Sequence, residues 1–156
     1  MFQEKLKVSL KKTLKLTNVL YRELINVDLE KIEKEVELMD NYIKTKGANP
    51  IGPLIQRIDT IITEENAINI QVTLYRQCNK YINSVDFGYK YQSIYRVDNC
   101  MYVRFFDSEE YLSIAYDKLK VIAYEEDIKL KDGNYTVYVD RIENKIIADV
   151  FMERAD

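Results

Sequence analysis

A chain of 156 residues is the length of one domain, and folding at that size buries about two-thirds of the surface that the unfolded chain exposes. Its 47% apolar and 31% charged residues match a globular composition and argue against intrinsic disorder. With 23 basic against 26 acidic side chains it lacks the basic excess that phosphate-backbone binding relies on, so nucleic acid is not an expected partner.

Residues 1–17 alternate lysine with Leu6, Val8, Leu10, Leu14 and Leu16, a period that favours an extended N-terminal segment or extra strand. Val19–Val27 is β-rich and free of glycine and proline, and reads as a strand. Asp28 stands where a helix N-cap is expected, and Leu29, Ile32, Val36, Met39 and Ile43 follow at three- and four-residue steps as one apolar stripe. Gly47 ends that helix, and Asn49-Pro50 with Gly52-Pro53 predict a turn. Leu54–Ile62 predicts a second strand and Thr63–Asn66 a turn. Ile68, Ile70, Val72 and Leu74 then alternate with polar residues as a half-buried strand. Residues 78–92 are polar, rich in tyrosine, and read as a connecting loop.

The pattern then restarts. Ile94–Val97 and Met101–Phe106 are extended, with Asp98-Asn99 as a kink or turn, and Asp107 with Glu110 is a candidate capping box. Leu112, Ala115, Tyr116, Leu119, Ile122 and Ala123 form a second helical stripe. Lys131–Asn134 is a turn, Tyr135–Asp140 a strand, Glu143-Asn144 a turn and Lys145–Glu153 the last strand. Corresponding elements recur at an offset of about 80 residues. The expected fold class is therefore α+β, with two pseudo-symmetric β-α-β-β repeats (18–77 and 93–154) in one domain. They are expected to form a curved antiparallel sheet with both helices on one side.

Chemistry is bounded mainly by absences. There is no histidine, hence neither the commonest metal ligand nor the usual neutral-pH base. None of the four glycines belongs to a phosphate-cradling motif. No catalytic residue, metal or cofactor is expected. No apolar run reaches the roughly 18–20 residues that cross a bilayer, and the N-terminus lacks a signal peptide's apolar core. The expected setting is cytoplasmic, without a membrane partner, and Cys78 and Cys100 are expected as reduced thiols. Arg57, Arg76, Arg96 and Arg104 lie on or beside strands, where pairing with neighbouring carboxylates competes with an anion-binding role.

Cys100–Asp107, Tyr116-Asp117-Lys118-Leu119, Asn134–Val139 and Ile147–Met152, with the Gly52-Pro53 turn, together resemble the gyrase-inhibitor-like, effector-binding superfamily over residues 18–154. Order and spacing carry the likeness, and the chain is similar to a stand-alone bacterial member without a helix-turn-helix domain. The resemblance implies a cleft between the repeats that takes a small aromatic or amphipathic molecule, or alternatively a protein partner. Tyr138, Tyr102, Tyr135, Tyr21 and Tyr75 would line it, with Glu23 and Thr136. Thr136 departs from the superfamily, whose drug-binding members carry a glutamate two residues before the tyrosine that Tyr138 matches. That departure counts against selection of cations and against the third reading, a hydrolase using Glu23 and a tyrosine. A binding module is the expectation, with its oligomeric state open.

Overall fold

The computed structural model describes residues 6–156, so the first five residues of the predicted N-terminal segment lie outside the described residues. The element order is β1 (Val8–Ile25), α1 (Leu29–Thr45), β2 (Pro50–Ile62), β3 (Ile68–Cys78), β4 (Lys90–Asp107), α2 (Leu112–Glu125), β5 (Asn134–Ile142) and β6 (Lys145–Glu153). This is an α+β chain, and the strand ladders within each unit described below are antiparallel. A short 3-10 turn, Glu109–Tyr111, leads into α2. The described residues fall into two compact units, residues 15–96 and residues 6–14 with 97–156.

In the unit of residues 15–96, β3 is the middle strand, paired with β1 from Val19↔Gln77 to Ile25↔Gln71 and with β2 from Pro50↔Cys78 to Ile62↔Ile68. Side chains alternate between the two faces of a strand. Leu20, Val72 and Leu74 therefore share the face that α1 covers with Met39 and Ile43, all within one buried cluster. The predicted stripe is thus the buried one, with Ile32 and Val36 at its edge, while the side chain of Leu29 lies outside the described set. Gly47, at φ +81, closes α1: its N–H donates to the Lys44 carbonyl at 3.0 Å and that of Ala48 to the Ile43 carbonyl at 3.2 Å.

In the other unit β6 lies between β5 and β4, in register from Tyr135↔Phe151 and Cys100↔Glu153 onward. Met101, Val103, Phe105, Ala148, Val150 and Met152 share the face covered by Leu112, Ala115, Leu119 and Ala123 of α2.

Several local expectations are corrected. The segment from Val8 and the predicted strand after it are one strand, with Asn18 inside it at a left-handed φ of 50. Asp98-Asn99 is likewise a kink within β4, with Asn99 at φ 61. Pro50 to Pro53 begins β2 as a bulge, not a turn, with the register shifting between Ile51 and Ile55 around Gly52 at φ +72. Neither helix has a side-chain cap at its start; the Asp107 carboxylate instead accepts from the Ser108 N–H at 2.7 Å. The alternation in β3 buries only its second half. Ile68 and Ile70 are exposed, and Val72, Thr73, Leu74 and Tyr75 are all buried.

Candidate functional site

The face of β1, β2 and β3 that α1 leaves uncovered carries a set of ligand-competent side chains. Tyr21 and Glu23 of β1, Arg57 and Asp59 of β2, Thr73 and Tyr75 of β3, and Tyr95 of β4 line a depression of about 420 Å³, wholly within residues 15–96. Tyr21 and Tyr75 are stacked at 5.5 Å between ring centroids, 25° from parallel, because Tyr21↔Tyr75 is a directly opposed pair in the register. Tyr95 stands edge-on to both, at 6.0 Å from Tyr21 and 4.9 Å from Tyr75. The Tyr75 and Tyr95 hydroxyls lie 3.0 Å apart in a hydrogen bond.

Charges surround the rings. Lys90 Nζ donates to Glu23 Oε1 at 2.7 Å, which raises the lysine pKa, and Arg57 Nε lies 2.8 Å from Asp59 Oδ2. Two carboxylates and two cations in this arrangement compensate one another while leaving polar edges around an aromatic floor. A flat ligand can lie against such a floor and have its orientation fixed by the rim.

The other predicted site residues divide by face. Tyr102 and Tyr135 are each opposite Phe151 in the register and share its face, away from α2. There Tyr102 Oη and Arg104 both donate to Asp149, the hydroxyl at 2.8 Å and the guanidinium at 2.8 and 2.9 Å. Burial first, and the Asp149 carboxylate second, raise the Tyr102 pKa, so the phenol remains a proton donor. Tyr138 and Thr136, two positions apart, occupy the opposite face. Tyr138 packs on the α2 cluster, where burial raises its pKa strongly, and Thr136, 1% exposed, hydrogen-bonds the Tyr116 hydroxyl of α2. These two therefore do not join Tyr102 and Tyr135 on one surface; the helix covers them.

Three predicted residues, Tyr21, Tyr75 and Glu23, are thus brought together. Sequence reading missed Asp59 and Asp149. The first had a readable signal, since Arg57 and Asp59 are two apart on a strand and share a face. The second did not, because Arg104↔Asp149 is a cross-strand pair that only the register reveals. Of the arginines, Arg57, Arg76 and Arg104 pair with Asp59, Asp40 and Asp149. Among the described residues no cluster of His, Cys, Asp and Glu could hold a metal ion, and no helix is long and apolar enough to cross a membrane.

No protein-family profile and no curated protein matches the chain. Among solved structures, the chain is similar to the protein of the EcmrR–DNA complex in EcmrR-RPo, with a TM-score of 0.71 and 12% identity over 96% of this chain. It spans 57% of that protein's length. SAV2435 bound to tetraphenylphosphonium aligns with a TM-score of 0.47, at 10% identity over 92% of this chain and 93% of that one. A Staphylococcus aureus MU50 protein assigned to bacterial transcription regulation aligns with a TM-score of 0.45, at 7% identity over 94% and 98%. The EcmrR likeness shows a shared fold.

Proposed function

We propose that this chain is a small-molecule effector-binding domain whose ligand lies on the helix-free face of β1, β2 and β3. The observation that carries the reading is the Tyr21–Tyr75–Tyr95 cluster, three rings within 6.0 Å of one another above a sheet, ringed by Glu23, Lys90, Arg57 and Asp59. The preferred ligand is planar and aromatic or amphipathic, stacking on Tyr21 and hydrogen-bonding the Tyr75–Tyr95 hydroxyl pair. The two β-α-β-β runs are, on this proposal, copies of one ancestral unit: each helix covers one sheet face, and each opposite face pairs tyrosines with an arginine–aspartate bridge. On this proposal the chain serves as a sensor domain, and the fold it shares with EcmrR, a protein seen in complex with DNA, is compatible with that role.

A thermal-shift screen against aromatic, cationic and anionic metabolites tests this. A ligand at 100 times its dissociation constant, binding only the native state, stabilises it by about 2.7 kcal/mol. The expected hit is saturable, lost in Tyr95→Ala and weakened in Tyr75→Phe, which keeps the ring and removes the hydroxyl. A hit indifferent to both variants would remove the proposed site.

A second reading, a protein adaptor, draws support from the free end of the β2–β3 hairpin, where Ile62, Ile68 and Ile70 are 71%, 72% and 54% exposed. It predicts a partner whose binding is lost in Ile68→Glu and untouched by Tyr95→Ala. The hydrolase reading names Glu23, whose carboxylate is bonded to Lys90 at 2.7 Å, and a tyrosine hydroxyl meets a carboxylate instead at Tyr102–Asp149. There, however, the two-pronged Arg104 bond already occupies both carboxylate oxygens, which is a poor arrangement for an acid–base pair.

A further inference from the structure

A second aromatic recess lies on the α1 side of residues 15–96. On β1, Tyr21 and Glu23 point to the helix-free face, so Arg22 between them points to the other. It lines a recess of about 500 Å³ with Leu38, Tyr42 and Lys46 of the α1 region and with Phe87 and Tyr89 of the loop before β4. Tyr42 and Tyr89 are stacked at 4.4 Å, and Phe87 stands at 89° to Tyr42, 6.4 Å away, so the three rings make a floor and a wall.

The loop is locked in place. Tyr42 Oη donates to Asp86 Oδ1 at 2.6 Å and accepts from the Asp86 backbone N–H at 3.0 Å. Burial, then the bond to Asp86, raises the Tyr42 pKa, so this clasp persists through neutral pH. Phe87 beside it is 77% exposed and holds φ 55, the left-handed region that bulky side chains avoid. Gly88 next door, at φ +83, has the residue type such a conformation favours. A glycine at position 87 would make the same turn without strain. The chain instead displays a ring to solvent at a backbone cost, which is the pattern of a contact surface.

Charge selects the occupant. Lys46 Nζ sits 5.5 Å from the Tyr42 ring centroid, and among the described residues no carboxylate lies within ion-pair distance of it. Arg22 lies over Tyr89 at 5.2 Å and only 3.8 Å from Glu35, a long pair. The carboxylate of Asp86 also lines the recess, and it accepts from the Tyr42 hydroxyl. The recess is therefore an apolar, ring-walled hollow with Lys46 at its edge outside any ion pair, beside the long Arg22–Glu35 pair. We infer that it binds a planar aromatic anion, an aryl carboxylate or sulfonate, with the ring against Phe87 and Leu38 and the acid group toward Lys46 and Arg22. This site is separate from the tyrosine cluster of the helix-free face and does not depend on it.

The test is a titration of the full chain with 8-anilinonaphthalene-1-sulfonate, followed by its emission, alongside its uncharged counterpart N-phenyl-1-naphthylamine. Saturable binding of the sulfonate is expected. Phe87→Gly should weaken it by about tenfold or more while raising the melting temperature, because it removes the ring and the left-handed strain together. Lys46→Gln should weaken the sulfonate by about fivefold and leave the uncharged probe unchanged, and Lys46→Arg should restore it. Tyr95→Ala should leave both probes bound. Absence of saturable binding, binding indifferent to Phe87→Gly, equal loss of both probes in Lys46→Gln, or loss in Tyr95→Ala would each overturn the assignment. Loss in Tyr95→Ala would place the probe on the opposite face, and the other outcomes leave the ligand proposed there untouched.

Discussion

The clearest case at the scale of single residues is Thr136. In the superfamily that the sequence resembles, a glutamate stands at this position in drug-binding members, and the threonine reads as the loss of a cleft carboxylate. The structure gives the substitution a local reason. Thr136 is 1% exposed, and its hydroxyl is the partner of the Tyr116 hydroxyl beneath α2. Thr136→Val keeps the shape and leaves the Tyr116 hydroxyl buried without that partner, so we expect a loss of about 1–3 kcal/mol in urea denaturation. The double variant Thr136→Val/Tyr116→Phe should recover part of it, because both polar atoms then disappear together. The two cysteines argue at the same scale. Cys100 is fully buried, and burial pushes its thiol up to about 11. A thiol reagent at pH 8 should find both cysteines silent in the native protein and two reactive thiols per chain after denaturation.

At the scale of elements, what was legible depended on how local the cause was. Both helix stripes are readable because a 3.6-residue period in apolar residues is itself the burial pattern, and Met39, Ile43, Leu112, Ala115, Leu119 and Ala123 are buried as that period predicts. Strand limits were less so. Asn18 and Asn99 look like breaks in sequence but are single left-handed residues inside continuous strands, a distinction that only cross-strand pairing makes. Tyrosine membership of a site was least legible, since it requires knowing which face the helix covers. Tyr138 and Tyr135 differ by three positions and lie on opposite faces for that reason. The two helix ends supply a prediction. α2 closes as α1 does, with the Ile128 N–H on the Ala123 carbonyl at 2.8 Å and the Asp127 N–H on the Tyr124 carbonyl at 3.3 Å, yet Asp127 at φ 55 stands where α1 has Gly47. Asp127→Gly removes a left-handed side chain and a negative charge from a helix C-terminus. It should stabilise the protein by about 1 kcal/mol, read as a shift in the denaturation midpoint with unchanged slope. The matched change at the other end, Gly47→Ala, should cost a similar amount.

At the scale of the whole molecule, ionisation above neutrality acts in one direction. Burial raises the pKa of Cys78, Cys100, Tyr42, Tyr102, Tyr116 and Tyr138 alike. Each is neutral when protonated, so between its unfolded and folded pKa the native state holds a proton that the unfolded state has lost. Stability then falls as pH rises. The contribution is intact below about pH 7.5, declines as the unfolded thiols ionise at about pH 8.5, and falls further through the tyrosine range at about pH 10. Melting temperature followed from pH 7 to 11 should therefore decrease with increasing steepness. Cys100→Ala should flatten the first part of that curve, and a flat curve to pH 11 would show that these groups titrate alike in both states.

The chain contains 13 tyrosines and no tryptophan, so its near-ultraviolet emission comes from phenols alone, with no indole to drain their excitation. Two of those phenols, Tyr42 and Tyr102, donate to the carboxylates of Asp86 and Asp149, and a carboxylate that accepts from an excited phenol quenches it. The other phenols include Tyr21, whose stacking partner is another tyrosine. A molecule that settles on the cluster, or one that loosens the Tyr42–Asp86 clasp, changes the protein's own glow in opposite senses, dimming it in the first case and brightening it in the second. The two faces can thus be told apart by light without attaching a label.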